Sequence, residues 1–391
     1  MSAILDKLFA SIDPDRLRDL TLDLVRIPSP TGDAEAVTEF YAAQLRVLGL
    51  NVEVFHDFPH SPSTVARLGQ CKGRPTLTLD GHLDTIHAAH AAPYIDGDRI
   101  YGRGTGDMKS GVAAMVEVAR VLLENQVELG GNLVLATHSL HEAPVGHMEG
   151  LKALLARGEI FIDAALVTEG GFDTAAVRGK GQALYEITIT REGNALHENE
   201  ARRHGIPNPL DFAALLANKM LECNTAWASQ VDPLLGPETI FLGQIHGGDF
   251  YNRVPNKAFL NGVYRYWPVK NWDDVQRTFD ELVASVARPA GIQVEMRLFG
   301  NGLGFEIDPQ TPILQALCSA YRTVVGRDLQ LVGDLGVSDV NIIAREAKIP
   351  VVAHGTGSAT AHGDVEWVNV PDIVRSVQVY LATIIEFLGV K

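Results

Sequence analysis

Short apolar runs that end on a histidine or a carboxylate recur along the chain, and stretches of helical periodicity separate them. "PTLTLDGHLD" (75–84), "NLVLATHSL" (132–140), "DAALVTEG" (163–170) and "IPVVAHG" (349–355) read as strands. Helices are expected from near Ser110 to about Leu123 and over 148–157, 311–325 and 371–388. Upstream, Leu17, Leu20, Leu22, Leu24 and Val25 give an apolar face to a helix over 14–27, which "PSPTGD" (28–33) breaks. Thr31 or Asp33 is placed to cap the next helix, 34–48, and "NVEVF" (51–55) reads as a strand. Strands alternating with helices predict an α/β layer on a mostly parallel sheet.

The pattern changes near Lys180. "QALYEITIT" (182–190) alternates as a half-exposed strand would, and a helix (210–222) follows. Strands near 239–245 and 258–267, a helix (271–287) and a strand (291–299) complete a β-α-β-β-α-β order. That order predicts an open-faced, ferredoxin-like α+β sandwich inserted into the larger domain. The expected division is a catalytic domain, 1–179, an inserted lid or dimerisation domain, 180–299, and the rest of the catalytic domain, 300–391. No internal repeat or low-complexity segment interrupts it.

Composition excludes several classes. A net charge of −15 argues against nucleic acid, because phosphate binding needs clustered Lys and Arg. Part of that acidity can be carboxylate reserved for cations. No run approaches the ~18 apolar residues of a membrane span. Met1–Arg16 lacks the basic start and apolar stretch of a signal peptide, so the cytoplasm is the expected location. Cys71, Cys223 and Cys318 lie far apart and read as buried, inert thiols.

Candidate metal ligands fall where strands end, which is where open α/β sheets place their sites. In a strand, His82 and Asp84 share a face, so one can bind a metal while the other orients the imidazole. Tyr101–Gly111 carries glycines that let main chain approach a site, and both oxygens of Asp107 could bridge two ions. A phosphate-cradling loop is the competing reading, although the spacing matches neither the P-loop nor the dinucleotide fingerprint. Further groups are His138, His141 and Glu142; Glu169; His354; and His362, Asp364 and Glu366. Each alone is more often a solvated surface group, but recurrence at successive strand ends points to a metal centre. Mixed His and carboxylate donors suit zinc, manganese or cobalt better than calcium or magnesium.

"LVRIPSPTG" (24–32), "DGHLDT" (80–85), "YGRGTGDMKSG" (101–111), "VTEG" (167–170) and "GNALH" (193–197) extend the pattern along the chain. "HGGDFYNRVPNKA" (246–258), "YRYWP" (264–268), "GVSD" (336–339) and "TAHGDVEWV" (360–368) carry it further. Over nearly its whole length the chain resembles the metallopeptidase family of aminoacylases, acetylornithine deacetylases, succinyl-diaminopimelate desuccinylases and glutamate-releasing carboxypeptidases. The resemblance implies two divalent metal ions per chain, zinc first, with manganese or cobalt as alternatives. His82 and Glu169 would hold one, Glu142 and His362 the other, and Asp107 would bridge them. Asp84 would be the acid behind His82, and His197 would reach the reacting carbonyl oxygen across a dimer interface. Asn252 and Arg265 match lid residues that grip substrate, often by its carboxylate.

One position departs from the family. Its usual adjacent glutamates, a general base and then a metal ligand, here read His141-Glu142. Two assignments compete. Either Glu142 is the ligand and His141 takes the base position, which the ungapped alignment favours, or Glu142 is the base and the metal shell is altered. His141 could also bind metal itself. "HEAPVGHMEG" (141–150) and "IHAAHAAPYIDG" (86–97) also differ from the family where they would line the pocket. The expected activity is hydrolysis of an amide C–N bond in a small, carboxylate-bearing N-acyl amino acid or peptide. The alternatives are hydrolysis of a carbamoyl, amidine or aromatic amine C–N bond, which releases ammonia, and a non-catalytic metal-binding homologue. The expected partners are a small-molecule substrate and a second copy of the chain, with no nucleic acid and no membrane.

Overall fold

The computed structural model describes residues 2–69, 73–357 and 360–391. The chain forms two compact units: Met1–Val177 with Ile307–Val332 and Ile342–Lys391, and Arg178–Glu306 with Gly333–Asn341.

The first unit is built on a six-stranded sheet in the order Val52–Phe55, Ser63–Leu68, Asn132–His138, Thr76–His82, Ala164–Val167, Val351–Ala353. Thr76–His82 runs parallel to both of its neighbours, and Val351–Ala353 runs parallel to Ala164–Val167. The two outer strands on the other side pair antiparallel. All seven residues of Thr76–His82 are buried, including Asp80 and His82, as befits a central parallel strand covered on both faces. Helix Ser110–Glu124 is buried from Ser110 to Leu122. Its charged pair stays inside because Arg120 Nη2 donates to Glu117 Oε1 at 2.6 Å, and Glu117 also accepts the main-chain N–H of Asp13.

Gly111 shows how tightly this helix is seated. A Cβ there would lie 2.0 Å from the main-chain oxygen of Thr168, so the first turn packs directly on the chain that leads to Glu169.

The second unit carries a four-stranded antiparallel sheet in the order Thr239–Gly247, Lys257–Tyr266, Gly181–Arg191, Ile292–Gly302. Alternate residues of the central strand, Ala183, Tyr185, Ile187 and Ile189, are buried with Phe212, Leu216, Met220 and Phe279 from its helices, Pro209–Trp227 and Trp272–Ser285. Both helices start on an asparagine: Asn208 accepts the N–H of Leu210, and Asn271 forms a reciprocal capping box with Asp274. Asn341 joins the late segment to this unit by donating to the carbonyls of Lys180 (3.0 Å) and Leu303 (2.9 Å).

Three expectations change. Helix Glu35–Val47 has Ala34 at its N-cap and no side-chain cap, so neither Thr31 nor Asp33 closes it. Thr31 is instead spent on Asp84, to which its hydroxyl donates at 2.8 Å. Cys223 and Cys318 are free and half-buried, and burial pushes both thiols up, away from reactivity; Cys71 lies outside the described residues. The pattern also missed helix Ser2–Ala10, strand Ser63–Leu68 and the hairpin Tyr94–Asp96/Arg99–Tyr101. Among the described residues, no helix is long and apolar enough to cross a membrane.

Candidate metal centre

His82 is the last residue of the central strand and is fully buried. Its Nδ1 donates to the main-chain carbonyl of Asp84 at 2.9 Å, which leaves Nε2 as the nitrogen that could take a metal. That Nε2 lies 3.0 Å from Asp107 Oδ1. The other oxygen of Asp107, Oδ2, lies 3.0 Å from His362 Nε2, which in turn is 2.9 Å from Glu142 Oε1. One carboxylate thus faces two imidazoles from separate parts of the chain.

The side chain of Asp84 was expected behind His82. Its Oδ1 stands 3.7 Å from His82 Nδ1, and the orienting bond comes from the carbonyl instead. Its Oδ2 accepts from Thr31 Oγ1 and from the main-chain N–H groups of His141 (3.0 Å) and Glu142 (3.2 Å). Asp84 therefore sets the chain that carries the next two candidates.

His141 stacks on His82 with ring centroids 3.9 Å apart and planes 8° from parallel. Single ligand atoms of His82, His141 and Glu169 lie within 4.8 Å of one another, as do those of His82, Asp107 and Glu142. Five of the seven candidates in this unit (His82, Asp84, Asp107, His141 and Glu142) thus meet around His82, and Glu169 and His362 close the cluster from two later segments.

Electrostatics follow from this crowding. The hydrogen bonds of His362 to Asp107 and Glu142 push its pKa up to about 10. Burial pulls His82 down, but its bond to Asp107 and the charges of Asp107, Asp84 and Glu142 outweigh that and raise it. Burial raises Asp107, and the bonds to His362 and His82 override it, so the carboxylate is held far below its usual range. The set fits divalent metal: imidazole nitrogens and carboxylate oxygens converge at contact distance, with the tautomer of His82 already fixed.

Two residues support the cluster in roles the sequence did not show. Buried Lys109, pulled down to about 7 by burial, donates to the carbonyls of Leu24 (3.1 Å) and Ile27 (2.8 Å), tying the loop after Asp107 to the end of helix Pro14–Arg26. Glu366, named in the sequence only as one possible metal ligand, accepts N–H groups from the glycine-rich loop. Main-chain carbonyls and N–H groups leave no residue-type signal, so neither role was readable.

In the second unit, His197 is exposed and caps the short helix Glu198–Arg203, its Nδ1 accepting the N–H of Asn199 at 3.2 Å. Its Nε2 lies 3.0 Å from the side-chain amide of Asn252, so these two candidates meet. Arg265 is half-buried, and its Nη1 has no hydrogen-bond partner among the described residues. Burial lowers its pKa and the charge of Asp334 opposes the shift.

Imidazoles and carboxylates that converge beside the ends of parallel strands define a candidate metal centre. A family model described as Peptidase family M20/M25/M40 matches residues 78–386. The succinyl-diaminopimelate desuccinylase of Rhodospirillum centenum is 30% identical over 386 residues, covering 92% of this chain and 94% of that protein. The N-formyl-4-amino-5-aminomethyl-2-methylpyrimidine deformylase of Halalkalibacterium halodurans is 24% identical, over 100% of this chain and 99% of its own. The fold is shared with an M20 family metallo-carboxypeptidase from Sulfolobus solfataricus at a TM-score of 0.80, 16% identity, and coverage of 96% and 99%. The chain belongs to peptidase family M20/M25/M40. It is a metal-dependent hydrolase of amide C–N bonds.

Proposed function

We propose that the chain removes an acyl group from a small, carboxylate-bearing N-acyl amino acid or peptide, with two divalent ions in its site. The carrying observation is Asp107, whose two oxygens face His82 and His362 separately, as a bridging carboxylate must. His82 and Glu169 would hold one ion, and Glu142 and His362 the other. Zinc is the first choice for this donor set, with manganese or cobalt as alternatives. When bound, such ions polarise a carbonyl and lower the pKa of a water.

The chain's own residues do the rest. His141 takes the proton of the attacking water on its imidazole and returns it to the leaving nitrogen. Asp84 supports that role by fixing the main chain of His141 and Glu142. His197, backed by Asn252, donates to the oxygen that gains charge, and Arg265 pairs with the substrate carboxylate. The second unit acts as lid and dimerisation domain of a cytoplasmic homodimer.

A second reading has one specific support: His141, which the sequence resemblance aligns with the family's glutamate base, is an imidazole stacked on His82. On that reading the substrate is a carbamoyl, amidine or aromatic amine compound, and ammonia is released. The test loads the apo-protein with zinc, counts ions per chain, and assays N-succinyl, N-formyl and N-acetyl amino acids for amine beside N-carbamoyl, amidine and aromatic amine compounds for ammonia. Two ions and amine release are expected. Ammonia as the sole product selects the second reading, and one ion per chain ends the bridging assignment.

A further inference from the structure

Glu366 is buried, and its carboxylate gathers the glycine-rich loop around itself. Oε1 accepts the main-chain N–H groups of Gly104 (3.1 Å), Gly106 (2.8 Å) and Asp107 (3.2 Å). Oε2 accepts from Arg103 Nη1 at 2.8 Å, and Arg103 Nη2 donates to the carbonyl of Gly363 at 2.9 Å, beside His362. The main chain of Glu366 is pinned as well: its N–H donates to His90 Nε2 at 3.0 Å, and its carbonyl accepts the N–H of Gly102 at 3.0 Å. Converging N–H groups of this kind form a nest for an anion. Here the anion is a side chain of the same protein, which is why a phosphate-like loop needs no phosphate.

The geometry points to Glu366 as the positioning residue of the metal centre: it holds the main chain at Gly104–Asp107 so that Asp107 offers one oxygen to His82 and the other to His362. This rests on the reading of Asp107 as the bridging ligand. The loop needs such an anchor. Gly102, Gly104 and Gly106 make it costly to order, and Gly104 sits at a φ of +87°, where a Cβ would also meet Thr85 at 2.8 Å. Four charge-assisted bonds on one buried carboxylate offset that cost and fix where Asp107 leaves the turn. Arg103 carries the same restraint to the segment of His362, so both sides of the Asp107–His362 contact hang on one group.

The test measures cobalt(II) uptake by the apo-protein, by calorimetry and by the visible spectrum of the bound ion, in four chains: wild type, Glu366→Gln, Glu366→Asp and Asp107→Asn. Glu366→Gln keeps size and removes charge. Glu366→Asp keeps charge and falls one methylene short. Both are expected to keep near-wild-type circular dichroism, to bind cobalt about 10–100-fold more weakly, the usual loss when a group behind a ligand is removed, and to change the spectrum. A role confined to folding would lower the melting temperature and leave affinity and spectrum alone. Wild-type cobalt affinity and spectrum in either folded variant overturn the proposal, and so does failure of both to fold. Unchanged uptake by Asp107→Asn would instead overturn the ligand reading beneath it.

Discussion

Asp84 accepts the main-chain N–H of His141 at 3.0 Å with the same oxygen that takes Glu142's N–H and Thr31's hydroxyl, while its main-chain carbonyl orients His82. One residue thereby serves an imidazole through its main chain and the following strand end through its side chain. Asp84→Ala leaves buried donors without an acceptor, at about 1–3 kcal/mol each. Urea unfolding is expected to show a loss of at least that size, with reduced zinc content. Asp84→Asn keeps an acceptor and should retain most of the stability. If Asp84→Ala unfolds at the wild-type urea concentration, Asp84 does not organise the 141–142 chain.

His141→Ala tests the proton carrier. Turnover is expected to fall at least 100-fold, within the range that general base catalysis contributes, with zinc still bound at the wild-type stoichiometry. Zinc lost together with turnover would move His141 into the ligand set, beside His82 and Glu169.

Metal uptake is expected to expel protons. His362, raised to about 10 by Asp107 and Glu142, carries a proton at pH 7 when the site is empty, and a cation must displace it. Affinity should therefore rise as pH rises toward about 10 and fall in acid. Calorimetry at pH 7 in buffers of different ionisation enthalpy reads the protons released. A heat of binding independent of the buffer would contradict the proposed protonation.

Stability should carry its own pH signature through His354. This imidazole is fully buried among Phe172, Tyr321 and Tyr380, and burial lowers its pKa to about 4. It stays neutral in the folded state while the unfolded chain takes up a proton near pH 6.5, so its contribution is present above that pH and lost as pH falls toward 4. Between pH 8 and pH 5 the loss amounts to about 2 kcal/mol. His354→Phe, which suits the aromatic surroundings, should flatten that part of the pH profile in urea unfolding. An unchanged profile would assign the acid sensitivity to other groups.

The central strands were legible because Leu133–Ala136 and Ala164–Val167 are short apolar runs and Leu77 and Leu79 alternate with threonine, with ligand-type residues at or just beyond each strand end. Ser63–Leu68 escaped because it opens on Ser63 and Thr64, buried polar residues whose cost is met across the sheet: Thr64 shares a 2.6 Å hydroxyl contact with Thr137. The ligand-type residues could be picked out one by one at strand ends. Their supports could not. Asp84 and Glu366 act on main-chain N–H groups, which every residue but proline carries, over separations of 57 and 262 positions. Thr31 looked like a helix cap because a cap needs the same hydroxyl that Asp84 takes.

The missing side chain at Gly111 has a consequence beyond fit. Because the helix after Asp107 rests on the backbone of Thr168, the distance from that helix to the Glu169 segment is gauged by main chain against main chain. Any side chain at position 111 would force these two segments apart, and with them the Asp107 and Glu169 sides of the cluster.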